Sequence, residues 1–135
     1  MQLERRFASF RADGGVVTGV VVPYGQPSEI GAFRETILAG AFGAIGEIRA
    51  NVQHDRGRSF AINREGGGLA LTDGTEALRA RVELPEHGEG PAIRELVERG
   101  VLAGFSVEMH VKSDSWEGRN RTVERAVLSG LSLVD

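Results

Sequence analysis

The chain reads as an α+β domain that is mostly β, an antiparallel barrel-like sheet with one or two short helices, on three observations. Leu78, Ala80, Val82 and Leu84 alternate with Arg79, Arg81 and Glu83, the period-two pattern of a strand with one face buried and the other wet. Short apolar runs are punctuated by glycines, 19 of them against four prolines, as in domains built from many strands and tight turns. A clear 3.6-residue apolar repeat occurs just before Gly100, which places a helix between strands rather than a helical bundle.

The elements follow in order. Val16 to Val22 is a β-branched run after Gly14-Gly15 and before Pro23, and reads as a buried strand. A short helix is expected from about Gly40 to Gly46, and a strand from Ile48 to His54. Leu69-Ala70-Leu71 lies between the Gly66-Gly67-Gly68 turn and the Asp73-Gly74 turn, as one arm of a hairpin does. Pro91 to Arg99 is the main helix: proline suits its first turn, Ile93, Leu96 and Val97 share a face, and Gly100 ends it. Phe105, Val107, Met109 and Val111 alternate with Ser106, Glu108, His110 and Lys112, so Ser106 belongs to the polar face of its strand. Arg121 to Leu128 and Leu131 to Val134 close the sheet as two strands broken at Gly130. Trp116 falls near a hairpin tip.

With 135 residues and 41% hydrophobic content, the chain can bury one core, and residues 1–135 are read as a single domain. A net charge of −3 spread along the sequence offers no basic footprint for nucleic acid or an anionic membrane. Met1 to Phe10 carries three charges and no apolar stretch, so no secretory leader is expected there, and no apolar run approaches the ~20 residues of a membrane-spanning helix. The absence of cysteine removes disulfides, thiolate nucleophiles and sulfur-ligated metals. His87-Gly88-Glu89 falls short of a zinc site, and no metal or cofactor is expected.

The chemistry centres on two segments, Asn51-Val52-Gln53-His54-Asp55 and Gly100-Val101-Leu102-Ala103-Gly104-Phe105-Ser106-Val107-Glu108. A serine hydroxyl becomes a useful nucleophile when an imidazole can take its proton, and His54 and Ser106 are one such candidate pair. On the residues alone His54 is equally a strand-end histidine bonded to its neighbours, and a serine on the polar face of a strand is ordinary.

Taken together, the ordered elements resemble a family. Gly40-Ala41-Phe42, Asn51-x-x-His54-Asp55, Gly100-x-Leu102-x-Gly104-x-Ser106 and the closing Leu128-Ser129-Gly130-Leu131-Ser132-Leu133-Val134 resemble, in order and spacing over essentially the whole chain, the prohead (capsid maturation) proteases of tailed bacteriophages, which are similar in fold to the herpesvirus assemblins. The resemblance implies a serine endopeptidase acting within the assembling procapsid in the host cytoplasm. Its implied partners are the major capsid protein or its scaffold, and itself through self-association.

By the same resemblance His54 matches the general base and Ser106 the nucleophile. The family's third member, a glutamate just before the final strand, falls at Gly130. Glu108 and His110, on the side of Ser106, and Asp55, next to His54, remain as substitutes. The alternative reading is a catalytically impaired protease-like domain serving as a structural or scaffolding component of the phage particle.

Overall fold

The computed structural model describes residues 2–135. Its strands are β1 (Leu3–Ser9), β2 (Arg11–Asp13), β3 (Val16–Pro23), β4 (Ser28–Ile30), β5 (Phe33–Ile37), β6 (Arg49–Val52), β7 (Ala61–Ile62), β8 (Leu69–Asp73), β9 (Ala77–Glu83), β10 (Gly104–Glu117) and β11 (Asn120–Val134). One α-helix, α1 (Gly90–Glu98), joins β9 to β10, and a single 3₁₀ turn covers Arg56–Arg58.

Two sheets share one core. The first runs β1-β10-β11-β5-β4, with β6 pairing a different stretch of β11 and β7 pairing β6; the second runs β2-β3-β9-β8. The mostly β, α+β reading holds, but the barrel does not form: among the described residues no ladder joins the ends of one sheet to the other. The reason lies at Phe10, between β1 and β2. There the amide leaves the β1 ladder to bond Ala103 O at 3.3 Å, and the ring packs edge-on against Phe105 with centroids 5.3 Å apart. The chain thus turns from one sheet into the other over a common core instead of continuing one sheet around. The pairing is mostly antiparallel, with β5 and β6 both running parallel to β11.

Alternation decides which side chains enter the core. In β9 Leu78, Ala80 and Val82 are buried and Arg79, Arg81 and Glu83 exposed, while β10 contributes Phe105, Val107 and Met109 and β11 Leu131 and Leu133. Helix α1 starts with Pro91, buries Ile93 and Val97, and ends where Gly100 adopts φ +75° and its amide returns to Val97 O.

Two expected features differ. No helix forms from Gly40 to Gly46: Gly40 and Gly43 sit at φ +81° and +55°, and two successive turns, Ala41 N–H to Leu38 O and Gly43 N–H to Gly40 O, carry the segment instead. The break at Gly130 is absent too. Gly130 stays paired with Glu108 and Leu128 with Met109, so Ser129 is the extra residue of a bulge within one 15-residue strand.

An ion cluster ties the far end of this sheet together. Arg121 on β11 meets Glu4 of β1 at 2.7 Å, Asp114 of β10 at 2.8 Å and Glu35 of β5 at 3.2 Å. Arg6 adds a second cation, 2.7 Å from Glu35 and 2.8 Å from Glu4. The hydrogen bond from Arg121 is the main reason the Glu4 carboxyl lies below its ordinary value of 4.5, against the opposing pull of burial. Removing Arg121 leaves Asp114 without a cation and Glu4 and Glu35 with Arg6 alone, so Arg121→Ala is expected to lower unfolding stability by about 1.5–3 kcal/mol in urea titration. Because the folded form favours ionised Glu4, its contribution is complete above pH 4.5 and is lost as pH falls below that. The gap in urea midpoint between wild type and Glu4→Gln is therefore expected to shrink below pH 4.5.

Candidate active site

β6 places the histidine. It runs parallel to the end of β11 with Ala50 beside Leu131, Asn51 beside Ser132 and Val52 beside Leu133. The strand then stops two residues earlier than the sequence suggests. Gln53 and His54 take φ of +53° and +60°, and Asp55 N–H returns to Val52 O at 2.9 Å, which makes a tight turn with both central residues left-handed. Neither is glycine, and such a conformation costs of order 1–3 kcal/mol per residue. The turn holds because Gln53 N–H still bonds Leu133 O at 2.9 Å and His54 N–H donates to Ser132 Oγ at 3.2 Å.

β10 places the other groups. Ser106 and Glu108 alternate onto one face, opposite Ser132 and Gly130 of β11 on one side and Phe7 and Arg5 of β1 on the other. The polar face expected to be wet is buried here, with Ser106 only 6% and Glu108 5% exposed. The imidazole of His54 joins them, its Nε2 2.9 Å from Ser106 Oγ and its Nδ1 2.9 Å from Glu108 Oε1.

Counting hydrogens assigns the tautomer. The single Ser132 hydroxyl hydrogen goes to Asn51 Oδ1 in a short bond, so Ser132 Oγ can only accept from the imidazole nitrogen 3.1 Å away. An ionised Glu108 is also acceptor-only. Nδ1 must therefore carry the proton, and Nε2 keeps its lone pair for the Ser106 hydroxyl. The arrangement can take a proton from Ser106 and balance the charge this creates on the ring.

The remaining candidates fall elsewhere. His110 shares the strand face but lies two alternations beyond Ser106, between Leu3 and Val127, roughly 13 Å along the strand, and makes no hydrogen bond to His54 or Ser106. Asp55 caps the 3₁₀ turn by accepting from Gly57 N–H at 2.9 Å. Gly130 lies directly across from Glu108, and a Cβ there would come within 3.7 Å of Glu108 Oε1. Positions 108 and 130 thus face one another across the β10-β11 ladder. Arg5 Nη2 stands 3.8 Å from the other Glu108 oxygen.

Among the described residues no three His, Asp or Glu side chains gather as metal ligands do. The parts that sequence reasoning missed are Ser132 and Asn51 as supports of His54, and β1 as the neighbour of Ser106. Asn51 precedes His54 by three residues and Ser132 lies in the closing strand, but only the β6-β11 register shows that they meet.

No curated protein and no solved structure matches the chain. A family model described as caudovirus prohead serine protease matches residues 2–135. With that match over nearly its whole length, the chain belongs to the caudovirus prohead serine protease family.

Proposed function

We propose that the protein is the serine endopeptidase of phage capsid maturation, cleaving the scaffold or the scaffolding segment of the major capsid protein inside the prohead, with Ser106, His54 and Glu108 as its working groups. The observation that carries this reading is the unbroken hydrogen-bonded line from Ser106 Oγ through the imidazole to Glu108 Oε1 in a chain of this family.

Ser106 Oγ attacks the scissile carbonyl carbon as Nε2 takes its proton, giving a tetrahedral oxyanion and an imidazolium whose Nδ1–H faces Glu108. Collapse breaks the C–N bond, and Nε2–H passes its proton to the leaving amine. A water then gives a proton to Nε2 and its oxygen to the acyl carbon, releasing the acid and restoring the Ser106 hydroxyl. Glu108 orients the ring and stays ionised throughout. With a carboxylate on Nδ1, Gly130 ceases to argue for lost catalysis, and the structural-component reading has no observation in its favour.

Co-expression with the cognate capsid and scaffold proteins is expected to give discrete products that disappear with Ser106→Ala and with His54→Ala; products undiminished in both variants would sink the assignment. Glu108→Gln keeps the shape but not the charge, and its turnover is expected to fall by about 10³–10⁴. Because residues 108 and 130 face one another, Glu108→Ala combined with Gly130→Glu is expected to recover at least about tenfold over Glu108→Ala alone. A double variant no better than the single one would remove Glu108 from the third role.

A further inference from the structure

We infer that Phe7 is the apolar platform for the substrate side chain next to the scissile bond, and so a specificity-determining residue; this rests on the proposed role of Ser106. Phe7 is 58% exposed, although it is a large apolar side chain on a strand. It lies directly opposite Ser106 in the β1-β10 ladder, so the two side chains project from the same face with Cβ atoms about 5 Å apart. Its ring rests on Gly104, where even a Cβ would lie 2.2 Å from the ring carbons. Gly104 is thus what allows the phenyl group to lie flat along the sheet beside the nucleophile rather than stand up into solvent.

The geometry limits where a substrate can run. Attack requires the scissile carbon about 3–3.5 Å from Ser106 Oγ. A peptide added as an extra strand on the free edge of β1 would lie two strand spacings, roughly 9–10 Å, from β10, too far for attack. The substrate must therefore cross the sheet face above Ser106, and in the direction of β1 it passes over Phe7. Past the edge of β1 is a groove of about 340 Å³ that Phe7 lines together with apolar Ala8, Val22 and Ile37 and charged Arg6 and Glu35. On the other side of Ser106 the face is taken by the imidazole and Ser132. The substrate class this selects is an extended polypeptide with a large apolar side chain on one side of the cleaved bond.

The test is cleavage-site profiling with a mixture of unstructured peptides of diverse sequence, read by mass spectrometry, for wild type, Ser106→Ala, Phe7→Ser and Phe7→Leu, each with an unfolding midpoint matching wild type. Wild type is expected to enrich Leu, Met, Phe or Tyr at one position flanking the cut. Phe7→Leu should keep that enrichment, and Phe7→Ser should lose it by about tenfold or more, whatever its overall rate. An unchanged Phe7→Ser profile alongside Ser106-dependent cleavage overturns the subsite and leaves the protease reading standing. Cleavage that persists in Ser106→Ala, or none by wild type, overturns both. A wild-type dimer that Phe7→Ser splits, with the profile unaltered, assigns the patch to self-association and overturns the subsite.

Discussion

The register of β11 between its two neighbours is the constraint on which the site depends. β11 pairs antiparallel with β10, setting Ser132 beside Ser106 and Gly130 beside Glu108, and pairs parallel with β6, setting Ser132 beside Asn51. One strand therefore aligns the histidine turn with the serine. A slip of one residue between β10 and β11 would exchange the two faces, sending Ser106 and Glu108 inward and Phe105, Val107 and Met109 out to water. Each of those three side chains is at most 1% exposed and holds roughly 1.5–3 kcal/mol of burial free energy. The core therefore polices the alignment of the polar groups above it, without any polar interaction having to do so.

Within that register, residue size matters as much as charge. The imidazole reaches Ser106 across β11, where the residues facing Glu108 and Ser106 are the small Gly130 and Ser132. The left-handed backbone at Gln53 and His54 directs the ring over the sheet, and its strain is offset by bonds from the same strand: Leu133 O on the Gln53 amide and Ser132 Oγ on the His54 amide. The bulge at Ser129 falls beside the same place, and its hydroxyl donates to Glu108 O at 3.1 Å. Gln53 and His54, the non-glycine residues with positive φ among the described residues, and one of the register shifts between β10 and β11 thus lie where His54 and Glu108 meet.

How much of this the sequence discloses depends on whether the controlling interaction is local. Alternation made the cores of β9 and β10 legible, the β-branched run made β3 legible, and the spacing of Ile93, Leu96 and Val97 made α1 legible, because those patterns lie within one element. The face shared by Ser106 and Glu108 was readable for the same reason. The turn at Gln53-His54 was not, because neither residue has a turn preference and the force that bends the chain comes from Ser132, 78 positions away. β1 was missed because Leu3 to Ser9 alternates Leu, Arg, Phe against Glu, Arg, Ala: its inward charges answer to Arg121 and Glu35 rather than to an apolar core. Gly40 and Gly43 look permissible inside a short helix until their positive φ is seen. The open sheets follow from how Phe10 packs on Phe105, which no pattern within β1 or β2 encodes.

Why a carboxylate belongs at this place follows from when charge appears. With the proton on Nδ1 and Nε2 facing the Ser106 hydroxyl, the bond to Glu108 gains mainly orientation. In the proposed reaction, proton transfer from Ser106 makes the ring a cation 2.9 Å from Glu108 Oε1, an attraction of order 5 kcal/mol at an effective dielectric near 20. Arg5, 3.8 Å from the other oxygen and half exposed, is screened by water and offsets little of this. The attraction is absent before transfer and present after it, so it lowers the barrier without tightening the ground state. Its size suits the thousandfold or greater effects that such partners exert, at about 1.4 kcal/mol per factor of ten.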